Sequence, residues 1–398
     1  MIPQLSRIMI RNFKSIGFAN VEMRPFMILV GPNGAGKSNF IDAMAFVSDC
    51  LNDGVDSALG TRGGLSAVRR NSISHPTDIS VALLIRFDED RVARYAFTIK
   101  SITKEEFKIS EEKCSLSESL KEIANYERIE GKLRVSVEGL KPSIRNDRLL
   151  LPVIGSHEIF APIYDFLTTM RFYSLIPQAI RTLHERDQGL FLRSDGSNAA
   201  AVLNRLMRDS VDGDENGDYQ RLCRLLARVV AGIERVGHKP LGKYETIFFK
   251  QDIGSKFPFY FDALNMSDGT LRVLGILLAL TQPGQHSLIA IEEPESTVHP
   301  AVAEMLVQVL KDTSNYRQII VTTHSPEILE QEGLTVEDIL HVSNIKNNTK
   351  IAPLSQESAQ IVREQLYSLG DLQRINELRP DINAWPESQT GDLFKKLG

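Results

Sequence analysis

Three cysteines in 398 residues, Cys50, Cys114 and Cys223, are too few and too scattered to frame a disulfide-stapled fold or to supply paired zinc ligands. A reducing, cytoplasmic setting fits them. The longest apolar run, around residues 273–280, is too short to span a bilayer, and the N-terminus lacks the charged-then-apolar pattern of a secretory signal, so no membrane anchor is expected. Excess positive charge is also missing: the formal net charge is -5, so any nucleic-acid contact must come from a local cluster. No sustained heptad pattern crosses residues 101–245, which excludes a long-armed coiled-coil molecule. What remains, 42% hydrophobic and 24% charged residues, is the composition of a globular protein, longer than the usual single domain.

The sequence is organised around residues 26–40, where a short apolar run feeds a glycine-rich turn that opens an amphipathic helix. Gly31, Gly34, Gly36, Lys37 and Ser38 fit the G-x-x-x-x-G-K-[ST] phosphate-loop pattern, with Pro32, Asn33, Ala35 and Asn39 completing the stretch. The glycines let the backbone wrap a polyphosphate with its N–H groups inward, and the helix adds its positive end. In this pattern Lys37 neutralises the β- and γ-phosphates and Ser38 ligates magnesium.

Residues 7–13, 16–23 and 26–30 read as an N-terminal β meander, and residues 40–51 as a helix buried along one side. The glycine-broken segment 60–71 carries Arg62, Arg69 and Arg70, which read either as a phosphate-backbone contact or as a solvated loop. Residues 101–244 read as an inserted lobe in which helices dominate. One helix there has an apolar stripe backed by Arg221, Arg224, Arg228 and Arg235, again a candidate backbone contact or a solvated face. Residues 212–218 imitate the start of a calcium loop, but Cys223 stands where the bidentate glutamate is required, so no metal is expected there.

Three further motifs follow. Ser267, Asp268, Gly269 and Thr270 form a polar turn at the start of a strongly apolar helix, where an N-terminus would hold a phosphate. Residues 287–295 read as a buried strand ending in Glu292 and Glu293, which a parallel sheet presents at its C-terminal edge. Glu292 is assigned to hydrated magnesium and Glu293 to the water that attacks a γ-phosphate. Residues 318–326 are another buried strand, ending in His324, which would emerge at the same edge and donate to the γ-phosphate.

Together these motifs resemble the nucleotide-binding head of ABC-type ATPases, in the RecF, SMC and OLD-like branch. Residues 31–38 resemble its Walker A motif, 266–270 its signature, 288–293 its Walker B motif, 296–299 its D-loop and His324 its switch histidine. The resemblance covers residues 1–99 and 245–372. It departs in three places: the signature reads Ser-Asp-Gly-Thr, the first Walker B acid is Glu292 rather than aspartate, and the glutamine loop has only Gln178 as a candidate.

The resemblance implies an α/β P-loop fold, with a mixed sheet, an N-terminal antiparallel meander and an inserted lobe. The expected division is head residues 1–100 and 245–345, insert 101–244 and extension 346–398. It implies ATP and Mg2+ as cofactors and a homodimer or higher homo-oligomer joined through the ATP sites, in which the signature turn acts in trans. Compact stand-alone members of this type resemble the ATPase halves of bacterial anti-phage systems, which implies a separately encoded nuclease or toxin as partner. A RecF-like DNA-repair ATPase without an effector is the alternative.

Overall fold

The runs Phe26–Val30 and Gln318–Thr323 are buried at every position, which requires strands covered on both faces. In the computed structural model both lie at the centre of a six-stranded sheet. The structure describes residues 2–70, 77–137, 140, 142, 145–210, 217–251, 254, 258–284, 286–331, 333–386 and 392–397. The strands in chain order are β1 (Gln4–Phe13), β2 (Ile16–Glu22), β3 (Phe26–Val30), β4 (Ile79–Arg86), β5 (Arg91–Ser101), β6 (Phe107–Glu118), β7 (Lys121–Ile129), β8 (Lys132–Val135), β9 (Arg171–Tyr173), β10 (His184–Glu185), β11 (Ile233–Leu241), β12 (Tyr244–Gln251), β13 (Phe259–Asp262), β14 (Leu288–Glu292), β15 (Gln318–Thr323), β16 (Ile339–Asn344) and β17 (Thr349–Pro353).

The central sheet has the order β17-β16-β3-β15-β14-β9 and is parallel except for the β16–β17 hairpin. A seven-stranded antiparallel sheet, β2-β1-β4-β5-β6-β7-β8, packs beside it, and β10 to β13 form a third, small sheet. The architecture is thus mixed α/β with an antiparallel N-terminal sheet, and no described helix is long enough for a coiled-coil arm or apolar enough to cross a membrane.

Two sequence expectations change here. β3 does not continue the meander: β1 and β2 form a hairpin, and β3 crosses into the parallel sheet beside β15, because it is apolar at every position rather than alternating. Residues 101–244 are also less separate and less helical than expected. β6 to β8 extend the N-terminal sheet, and β9 joins the central sheet next to β14. The helices Ala199–Asp209 and Asp218–Val229 do pack in this region, against β11 and the helix Asp268–Thr281. Arg221, Arg224 and Arg228 are exposed on the second of them, but Arg235 lies on β11, since the chain leaves the helix at Val230 and turns through Gly232 with φ 81°. Most of the calcium-loop imitation, residues 212–216, lies outside the described residues.

One buried side chain joins the two large sheets. Gln318, fully buried at the start of β15, accepts from the Leu5 N–H at 2.9 Å and donates to the carbonyls of Leu5 and Arg24, each at 2.9 Å. Leu5 sits where β1 shifts register, so its backbone is not fully engaged by β4. Gln318→Leu keeps the volume but strands the buried N–H and carbonyl of Leu5 and the partly buried Arg24 carbonyl. It is expected to lower stability by roughly 2–5 kcal/mol, read as a fall in the urea midpoint at unchanged slope.

Candidate active site

The parallel register brings three strand ends to one edge: Val30 pairs with Thr323, and Thr322 with Glu292. β3 there runs into the phosphate loop, β14 ends at Glu292, and His324 follows β15. The helix that follows the loop, Lys37–Asn52, starts from Gly36 in a left-handed conformation, with no side-chain cap and no acid in its first turn. Its N–H groups are therefore left for an anion.

Close backbone approach explains two of the glycines. A Cβ on Gly31 would lie 2.1 Å from the Val342 carbonyl oxygen, and one on Gly36 would lie 2.0 Å from Thr349 Oγ1. Thr349 Oγ1 also donates to the Ala35 carbonyl at 3.0 Å and is 2.6 Å from Ser15 Oγ, which accepts from Asn39 Nδ2 at 2.6 Å. The loop is thus fixed from behind by the β16–β17 hairpin, while Pro32, Asn33 and Gly34 are exposed on its rim.

Lys37 is folded back, donating to the carbonyls of Gly31 at 2.7 Å and Pro32 at 3.2 Å. Burial holds its ammonium below the ordinary lysine range, opposed by the carboxylates of Glu293, Glu295 and Glu292. Ser38 Oγ donates to Glu292 Oε2 at 2.6 Å, so the two expected magnesium ligands are already adjacent. Burial raises the Glu292 carboxyl above its usual range, against the Ser38 hydrogen bond. A half-buried carboxylate beside a hydroxyl at the mouth of the phosphate loop fits a hard cation whose remaining ligands are phosphate oxygens and water. Among the described residues no group of three or more His, Cys, Asp and Glu side chains offers an all-protein cage.

Glu293 holds φ 44°, a left-handed conformation uncommon for a non-glycine residue, and its N–H donates to the Thr322 carbonyl at 3.0 Å. Its carboxylate lies 3.1 Å from His324 Nδ1 and accepts from Ser296 Oγ at 3.3 Å. Glu293 and His324 therefore face one another at the sheet edge, with Glu292 and Ser38 alongside. Sequence reasoning missed Arg272, whose Nη1 donates to the Glu293 carbonyl at 3.2 Å, and Glu295, whose carboxylate accepts from Thr323 Oγ1. Burial raises the Glu295 carboxyl as well.

The signature turn lies elsewhere. Among the described residues no hydrogen bond or ion pair links residues 267–270 to the phosphate loop. Ser267 caps its own helix, accepting from the Thr270 N–H at 3.2 Å, and a Cβ on Gly269 would lie 2.7 Å from the Thr297 carbonyl oxygen, so the turn packs on its own 296–299 loop. Gln178 accepts from Arg181 Nη1 at 2.8 Å, and Arg181 in turn ion-pairs with Asp268. Gln178 thus sits with the signature turn; it is Ser174, just past β9, that shares a cavity of about 390 Å3 with Glu292.

Arg62 is not free to meet a phosphate backbone. It pairs with Asp42 at 2.8 Å and Asp49 at 2.7 Å on the phosphate-loop helix, with its side chain 10% exposed, and this corrects its expected role. Arg69 and Arg70, with Lys14 and Lys346, line a cavity of about 420 Å3 that also contains Ser15.

Residues 26–330 match the family described as "AAA domain, putative AbiEii toxin, Type IV TA system". The Old nuclease of Escherichia phage P2 is 24% identical over 361 residues, spanning 83% of this chain and 58% of that protein's length. The structural maintenance of chromosomes protein 1 of Schizosaccharomyces pombe is 32% identical over 126 residues, 29% of this chain and 10% of that protein. Among solved structures, an Smc head bound to the C-winged helix domain of ScpA superposes with a TM-score of 0.55 at 16% identity, over 89% of this chain and 99% of that one. That likeness is one of fold.

Because the Glu292 carboxyl sits above its usual range, protons compete with a cation for it: binding that needs the carboxylate is fully present above that raised value and fades as pH falls through it. Glu292→Gln is expected to weaken magnesium-dependent stabilisation by a non-hydrolysable ATP analogue by about tenfold or more. It should also flatten the pH dependence of that stabilisation. Magnesium titrations followed by thermal unfolding at pH 5 and pH 7.5 check both.

Proposed function

The chain belongs to this AAA-domain family and is a P-loop ATPase domain of the ABC, SMC and OLD type, and from that premise we propose that it hydrolyses ATP with Mg2+ as a two-fold dimer. One observation carries the reading: Ser38, Glu292, Glu293 and His324 converge beside an uncapped helix N-terminus, so a cation, a water-directing carboxylate and a γ-phosphate partner share one place. Lys37 would leave the Gly31 and Pro32 carbonyls for the phosphates. Glu293 would orient or deprotonate the attacking water, with His324 on its other side.

The signature turn supports the dimer. Ser267 and Asp268 are exposed at the start of the helix Asp268–Thr281 and make no bond to their own phosphate loop, so a second copy related by two-fold symmetry would bring each turn to the other's nucleotide. The cavity around Arg69 and Arg70 shares Ser15 with the phosphate-loop framework, and this placement favours the nucleoside end of ATP over nucleic acid as what those arginines meet. The exposed Arg221, Arg224 and Arg228 are the face offered to DNA. The biological output in this reading is control of a separately encoded nuclease or toxin in bacterial defence, triggered by nucleic acid or a phage component. The toxin-system description of the family and the nuclease relative support it. Pull-down from cells with and without ATP tests that step: no nuclease or toxin co-purifying in either state favours the RecF-like alternative.

Three variants separate the roles. Glu293→Gln binds ATP, loses most turnover and accumulates the dimer, because an amide neither polarises nor deprotonates water well. Lys37→Ala loses nucleotide affinity, and Ser267→Arg binds nucleotide without closing the dimer. Affinity, turnover and light-scattering mass on all three read the pattern; parental turnover in Glu293→Gln contradicts its assignment.

The two arginine groups are separable too. Neutralising Arg69 and Arg70 should weaken ATP binding by on the order of tenfold with the DNA salt slope unchanged. Neutralising Arg221, Arg224 and Arg228 should flatten that slope and spare ATP affinity. The reverse pattern exchanges the assignments.

A further inference from the structure

An aspartate at the second place of the signature turn is electrostatically awkward. In the trans-site reading this turn meets the γ-phosphate bound by a second copy, and a helix N-terminus attracts an anion only while its first turn adds no negative charge. Asp268 is exposed there, beside exposed Ser267. Its carboxylate would offset the positive potential of the helix end and repel the incoming triphosphate.

Arg181 removes that conflict. It closes the short helix Pro177–Arg181, and its side chain is only 16% exposed. One η nitrogen donates to the Met266 carbonyl at 2.8 Å and also ion-pairs with the Asp268 carboxylate; the other donates to Gln178 Oε1 at 2.8 Å. The guanidinium thus bridges the two residues that flank Ser267 and is itself held by Gln178. A planar fork with several donors does this at once, whereas an ammonium supplies only a point charge.

We propose that Arg181 is a positioning residue for ATP-driven dimerisation, cancelling the charge of Asp268 and fixing the backbone on both sides of Ser267 so that the turn accepts a second copy's γ-phosphate. The inference rests on the trans-site reading of the preceding section. It gives Gln178 the task of orienting Arg181. It also explains how a turn reading Ser-Asp-Gly-Thr keeps an anion-accepting helix end.

The test uses the full chain in the Glu293→Gln background, with the ATP-dependent dimer dissociation constant measured by analytical ultracentrifugation. Arg181→Ala should weaken the dimer by on the order of 10- to 100-fold, the effect of losing a charge-assisted contact. Arg181→Lys should be intermediate. Combining Arg181→Ala with Asp268→Gly should recover most of the loss, because no uncompensated carboxylate remains. A merely structural arginine predicts no such rescue, since the double variant lacks both halves of the clamp. If Arg181→Ala does not fold, Arg181→Gln replaces it in the same pair. An undiminished dimer, or a loss that Asp268→Gly does not reverse, overturns the inference alone. A background that stays monomeric with ATP overturns the trans-site reading and this inference with it.

Discussion

The parallel register of β3, β15 and β14 is the constraint on which the rest depends. With Val30 beside Thr323 and Thr322 beside Glu292, three backbones leave the sheet at one edge within a few ångströms of a common level. The phosphate loop, the paired carboxylates and His324 then meet without any long side chain having to reach. A slip of one residue would turn Glu292 and Thr322, which share a face, to opposite faces. The register is guarded by burial on both faces, and at the far end by Gln318, which ties β15 to the carbonyls of Leu5 and Arg24.

The edge is kept poised by groups that are partly uncomfortable. Lys37 is held below the ordinary ammonium range by burial, Glu292 and Glu295 are held above the ordinary carboxyl range by the same cause, and Glu293 and Thr297 occupy left-handed backbone conformations. In the proposed function, a cation would favour the ionised form of Glu292 and a polyphosphate the charged form of Lys37. Arg272 and Gly269 connect this edge to the signature turn of the same chain, through the Glu293 carbonyl and the Thr297 carbonyl respectively. In the proposed dimer, what a second copy does at Ser267 therefore has a short physical path to the glutamate of the first.

Much of the fold and site was legible in sequence wherever the signal is local. The glycines, Lys37 and Ser38 follow each other within one turn, and the apolar runs before Glu292 and His324 declare buried parallel strands. Contacts between distant segments were not legible: Thr349 on Ala35, Gln318 on Leu5 and Arg181 on Met266 each join residues far apart in the chain. Polarity also misled. Residues 111–113 read Glu-Glu-Lys and fall in the stretch expected to be an inserted lobe, yet Glu112 is fully buried, accepting from the N–H groups of Leu150 and Leu151 and the hydroxyls of Tyr95 and Tyr126. Four donors make that position a sheet core rather than a surface. Arg62 misled in the opposite sense, since two carboxylates on a neighbouring helix absorb a charge that the sequence offers to solvent.

The central claim is that each nucleotide is shared between one chain's phosphate loop and another chain's signature turn. Its most direct test is site-specific cross-linking in the Glu293→Gln background, mixing a chain that carries Asn33→Cys with one that carries Ser267→Cys, both with Cys223→Ser, and adding a short bis-thiol reagent. The account predicts a covalent dimer joining the two kinds of chain when ATP is present and none without it. Absence of that species with ATP, or an internal cross-link within single chains carrying both cysteines, would contradict it.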